Sequence, residues 1–129
     1  MKIIINPGFS LRQREVIRVA AIVAAANFPM PYKVEVSRMP KQDRKDWDGC
    51  AVGNHIWLAG NLHGAALFAT ASHEFCHVSQ QFTGKLELSP DDFYWKGRKV
   101  PARMRYENQP HEKEAFGYEH RLIPKRKMR

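Results

Sequence analysis

Residues Gly64 to Phe82 constrain this chain more than any other segment. Leu67, Ala71, Phe75, Val78 and Phe82 recur at three- and four-residue spacing. That spacing predicts a helix with one apolar stripe that must lie against a core. Gly84 is the expected stop. The same segment contains His73-Glu74-Phe75-Cys76-His77. Two histidines four residues apart stand one turn apart on one helical face, so their ring nitrogens can converge on a single metal ion. They point away from the apolar stripe. One side of this helix is therefore expected to anchor in the core while another faces a cleft.

The residue between the histidines suits hydrolysis. A carboxylate at Glu74 would sit beside the ion, where it can accept a proton from a water that the ion acidifies. With six histidines and eight glutamates in 129 residues, an H-E-x-x-H pentapeptide arises by chance roughly 0.02 times per chain of this composition. The motif thus predicts a metal-dependent hydrolase, with a peptidase as the leading case.

The length suits one domain, assigned to residues 1–123, followed by a basic tail at 124–129. The longest apolar stretch, Val16 to Phe28, is broken by Arg18 and Asn27 and is too short to span a bilayer. Ile3-Ile4-Ile5 after Lys2 is too short for a signal peptide, so the expectation is a cytoplasmic protein with no membrane partner. Two cysteines, Cys50 and Cys76, are too few for a disulfide-stapled scaffold. Cys76 is read as buried apolar filler and Cys50 as a loop thiol.

Lys2 to Ile5 reads as a short strand ended by Asn6-Pro7-Gly8. Ser10 with Gln13 forms a capping-box pattern for a helix running to about Asn27, with Val16, Val19, Ala20, Val23 and Ala24 as its apolar face. Pro29 and Pro31 end it. Tyr32 to Val36 alternates as a half-buried strand. Pro40 to Gly49 reads as an exposed charged loop. Ala51-Val52 and Ile56-Trp57-Leu58 flank Gly53-Asn54, as a hairpin or a bulged edge strand. Such an edge could pair with an extended substrate, and Trp57 is assigned to the core. Leu86 to Asp92 reads as a connector, Phe93 to Val100 as a small β element, and Pro110 to about Leu122 as a last helix stopped by Pro124.

A catalytic metal site needs a third protein ligand. Glu112 and Glu114 on the last helix are candidates. Glu112, Ala115, Phe116 and Glu119 would share one face there, and the small Ala115 would let two helices approach. His111, His120, His63 and His55 remain open at this level. Gln80, three residues after His77, is a candidate to orient a ligand.

His-Glu-Phe-Cys-His-Val-Ser-Gln, then Trp95-Lys96-Gly97, then Pro-His-Glu-Lys-Glu-Ala at Pro110 to Ala115, resembles the gluzincin class of zinc metallopeptidases. The likeness is greatest to minimal single-domain members of microbes and phages, and its detail spans roughly Asn54 to Leu122. The resemblance implies one Zn2+ held by His73, His77 and Glu112, with Glu74 as general base and Glu114 as the alternative third ligand. It implies an α+β, zincin-like fold. A small mixed sheet would lie over an N-terminal helix, with a central metal-binding helix and a C-terminal ligand helix. His111 departs from the pattern, since an aromatic or apolar residue is common there. The substrate would be a peptide or protein. Tyr106, Tyr118, His120 and Arg121 are candidate donors to the oxyanion.

The formal charge is +8, with Lys96, Arg98, Lys99, Arg103, Arg105 and the terminal residues prominent. Nucleic acid is therefore a possible but less favoured partner. Two alternatives accompany the peptidase reading. One is a catalytically silent or latent zincin-fold protein, with the tail blocking the cleft. The other is a nucleic-acid-associated protease or binder.

Overall fold

A computed structural model describes residues 1–40 and 48–123. The elements run β1 (Lys2–Ile5), α1 (Leu11–Asn27), β2 (Lys33–Arg38), β3 (Gly49–Val52), β4 (His55–Leu58), α2 (Gly64–Phe82), β5 (Leu86–Leu88), β6 (Phe93–Trp95), β7 (Arg98–Lys99) and α3 (Pro110–Leu122), with a short 3-10 turn at Tyr106–Asn108 before α3. The described residues thus form a small mixed α+β unit with three helices and two sheets. Most of the loop predicted between Pro40 and Gly49 lies outside the described residues, as do Pro124 and the basic tail. No helix among the described residues is long and apolar enough to cross a membrane.

The first sheet has the order β1-β2-β4-β3. β1, β2 and β4 are parallel, and β3 returns antiparallel to β4 through a two-residue turn with Gly53 at φ +61°. Glycine suits that turn because a positive φ costs it little. The predicted hairpin is therefore present, and β3 is one of the sheet's two edges, with β1 the other. Alternation sends Val34, Val36, Ile56 and Leu58 inward, all fully buried. On the other face Asn6 Nδ2 donates to Glu35 and Ser37, and Ser37 Oγ bonds His55. Trp57 stacks flat on His55 on that outer face, half-buried rather than in the core.

Helix α2 runs through the middle of the molecule, and every residue from Ala69 to Gln80 is buried. Leu67, Ala71, Phe75 and Val78 join the sheet and α1 in the main core. The predicted stripe ends there, because Phe82 is exposed. The opposite side of α2 packs on α3 through Cys76, Ala115 and Tyr118. Burial pushes the Cys76 thiol up to about 12, in keeping with its role as packing.

Two further sequence expectations need correction. The inner face of α1 is Gln13, Ile17, Ala20, Ala21 and Ala24, whereas Val19 is exposed. Small alanines allow α1 to lie close to α2, and the larger Val19 is turned outward. Leu86 to Leu88 is a strand rather than part of a connector, since it pairs with Phe93 to Trp95 to start a second, three-stranded sheet.

Gln13 joins the start of α1 to the approach to α2. Its Oε1 accepts from Ser10 N at 2.9 Å, completing the predicted capping box, and its Nε2 donates to Gly60 O and Leu62 O, both at 2.9 Å. Gln13→Ala leaves the buried acceptor Leu62 O unmet and removes the part-buried bonds of Ser10 N and Gly60 O. The expected loss is about 2–4 kcal/mol, since each unmet buried group costs roughly 1–3 kcal/mol. Thermal or urea unfolding measures it, and an unchanged midpoint would refute it.

Candidate metal centre

His73 and His77 leave α2 on the side that faces α3, and Glu112 meets them from the first turn of α3. Ala115, fully buried one turn later, lets the two helices come close enough. Glu112 Oε1 lies 2.8 Å from His73 Nε2 and 3.1 Å from His77 Nε2. One ligand atom from each residue falls within 4.8 Å of the others, all three residues are buried, and the group can hold a metal ion.

The surrounding hydrogen bonds decide which nitrogens are free to bind. Gln80 Nε2 donates to His111 O and to Glu114 Oε1, both at 3.0 Å. Neither acceptor can donate, so the amide orientation is set and Gln80 Oε1 faces His77 Nδ1 at 2.7 Å. An amide oxygen only accepts, so His77 carries its proton on Nδ1. The lone pair of the neutral ring is then on Nε2, directed at Glu112. Glu119 Oε1 stands 3.3 Å from His73 Nδ1, an ion-pair distance rather than a formed hydrogen bond, and favours the same tautomer there. Three electron-pair donors therefore point into one small volume, an arrangement that a cation satisfies.

The electrostatics fit. Burial alone would raise the Glu112 carboxyl, but positive charge at His73 and His77, whose rings donate to it only when they carry that charge, holds it well below the usual carboxylate range. Burial pushes Glu74 up, with His77 and His73 opposing and Glu112 adding to the rise. Burial likewise lowers His111, against the pull of Glu112.

Glu74 and the centre open on a cleft of about 290 Å3, lined by Gly49, Cys50 and Ala51 of β3, Leu86 and Leu88 of β5, and Tyr106 and His111 opposite. Gly49 eases this approach. A Cβ there would come within 3.1 Å of Glu74 Cγ and Thr70 Cγ2 and 3.2 Å of Leu58 Cδ2, so those side chains would have to shift by a few tenths of an ångström.

Comparison of the chain with protein-family models, with curated proteins and with solved structures gave no match. The site is accordingly read from its own atoms.

The structure brings His73, His77 and Glu112 together, sets Gln80 on His77 Nδ1 and places Glu74 on the cleft beside His77 and Glu112. Glu114, the alternative ligand, stands one step back. Its Oε1 holds Gln80, and its Oε2 accepts from Lys85 Nζ at 2.7 Å. Tyr106 is on the cleft wall. Tyr118 is not, since its ring packs edge-on against Phe28 in the second core. His120 and Arg121 are exposed on α3, with Arg121 over the Tyr118 ring and neither lining the cleft. His111 lines the cleft, 3.6 Å from Glu112 Oε2, boxed by Phe93 at 5.0 Å. Glu119 is the contributor the sequence reading left without a role. The available signal was its place two turns after Glu112 on the same helical face.

Proposed function

We propose that the chain is a zinc-dependent peptidase of gluzincin type, with His73, His77 and Glu112 as ligands and Glu74 as general base. The observation that carries this reading is a buried three-donor cluster, of which His77 and Glu112 line a cleft together with a separate buried carboxylate, Glu74. Two imidazole nitrogens and one carboxylate oxygen form a donor set that suits zinc. A metal there supplies Lewis acidity and brings the pKa of a coordinated water from about 15.7 toward about 7.

The chain's own residues do the rest. Glu74 takes the proton at its carboxylate, helped by the upward push of burial, and passes it to the leaving amine. Gln80, held by Glu114 and Lys85, keeps the His77 ring in place, and Glu119 does so for His73. β3 offers an extended backbone its edge toward Gly49, since Gln81 already bonds Ala51 O and Gly53 N, and Ala51, Leu86 and Leu88 receive an apolar side chain. Tyr106 lines the cleft wall and is the candidate donor to a developing oxyanion.

The nucleic-acid reading is not adopted. Between residues 85 and 123 eight Lys and Arg stand against seven Asp and Glu, and Lys85 and Lys99 are paired with Glu114 and Asp92.

Metal analysis with a quenched-fluorescence peptide library tests the proposal. About one zinc per chain is expected, with hydrolysis lost on chelation and restored by zinc. Hydrolysis indifferent to chelation, or a protein with no affinity for zinc, would overturn it.

A further inference from the structure

Helix α1 has apolar residues on both sides. Its inner face is buried, yet Leu11, Val19 and Ile22 are 83%, 51% and 69% exposed. Ala25 and Ala26 are exposed beside them. A helix on the surface of a globular protein ordinarily turns a polar face outward. At about 100° per residue, Leu11, Glu15, Arg18 and Ile22 fall within an arc of roughly 60° on the outward side. Read along the axis, that stripe runs apolar, acidic, basic, apolar.

We propose that the outer face of α1 docks a second copy of this chain, with the two helices antiparallel. In a two-fold pair, if residue i meets residue j, then j meets i. Residues 11 and 22 are symmetric about a point midway between Val16 and Ile17, and so are residues 15 and 18. A two-fold axis at that point sets Leu11 of each copy opposite Ile22 of the other. The same axis sets Glu15 opposite Arg18. One placement thus satisfies both the apolar and the charged residues. The small Ala25 and Ala26 flank the stripe and leave room for close approach.

Charge favours this occupant over an anionic surface. Arg12 and Arg18 would suit such a surface, but Glu15 between them would be pressed against like charge without a partner. In the self-pair each carboxylate meets a guanidinium. No α1 residue lines the cleft, so docking leaves the proposed active site open and does not depend on its assignment. One helix face buries less than the roughly 800 Å2 per partner typical of stable complexes, so the dimer is weak and reversible.

Sedimentation velocity at low salt, from low micromolar to about 1 mM protein, tests the proposal. The wild-type mass is expected to rise from monomer toward dimer. I22E, checked for an unchanged circular dichroism spectrum, should stay monomeric throughout. E15R should weaken association several-fold, and E15R/R18E should recover it. A wild-type protein monomeric at every concentration would overturn the proposal. So would association untouched by I22E, or a double variant no better than E15R alone.

Discussion

Replacing Glu74 with Gln is expected to lower peptide hydrolysis by about 10²–10⁴-fold, the range for removing a general acid–base, while zinc content stays near wild type. The two halves of this result separate the base from the ligands. Glu74 is absent from the three-residue donor cluster, so its charge is not needed to hold the ion. The fold does not need it either. Burial raises the Glu74 carboxyl, which means that the folded protein bears a cost for the ionised form. A neutral amide of nearly the same shape removes that cost, so unfolding stability should hold or rise slightly. A buried carboxyl whose ionised form is disfavoured, beside a cluster that can hold a metal ion and on a cleft, fits a catalytic assignment. Zinc analysis, unfolding and a turnover assay on one preparation make the comparison. Wild-type turnover in Glu74→Gln would remove the base assignment. Loss of zinc together with activity would make Glu74 a ligand instead.

The helices and the paired histidines were legible because they depend on local spacing, whereas Glu112 was singled out among several candidates only by the family resemblance. The i, i+4 histidines, the i+3 glutamine and the proline-led last helix each carry a mark within one or two turns. α1 was legible as a helix but not in its facing. Valine, isoleucine and alanine occur all round it, so periodicity could not choose between Val19 and Ile17. Contact with α2 made that choice, placing the small Ala20, Ala21 and Ala24 inside. β5 was missed because Leu-Glu-Leu is too short to signal a strand alone. Its pairing with Phe93 to Trp95 makes it one. The support behind the histidines was legible only in part. Gln80 could be read as a neighbour of His77, but the chain Lys85–Glu114–Gln80–His77 requires α3 to be laid against α2. Glu119 has the same cause, since its meeting with His73 spans 46 residues.

That difference between a ligand and its support gives the second large effect. Glu112→Ala removes the carboxylate oxygen facing both ring nitrogens, leaving two imidazoles to hold the ion. Supporting residues such as Gln80 or Glu119 are expected to cost about 10–100-fold in zinc affinity when truncated, and Glu112→Ala should exceed the upper end of that range. Competition with a calibrated chelator reads the affinity directly. Thermal unfolding reads it independently, because a ligand that binds only the folded state stabilises it by about 2.7 kcal/mol at one hundred times its dissociation constant. Added zinc should therefore raise the wild-type midpoint and leave that of Glu112→Ala unmoved. Glu114→Gln provides the contrast. It loosens the Gln80 amide and breaks the ion pair with Lys85 but leaves all three donors present, so its loss should fall within the supporting range. If Glu114→Gln instead abolished zinc binding while Glu112→Ala kept it, the third ligand would be Glu114, and α3 would have to turn by about 200° to present it.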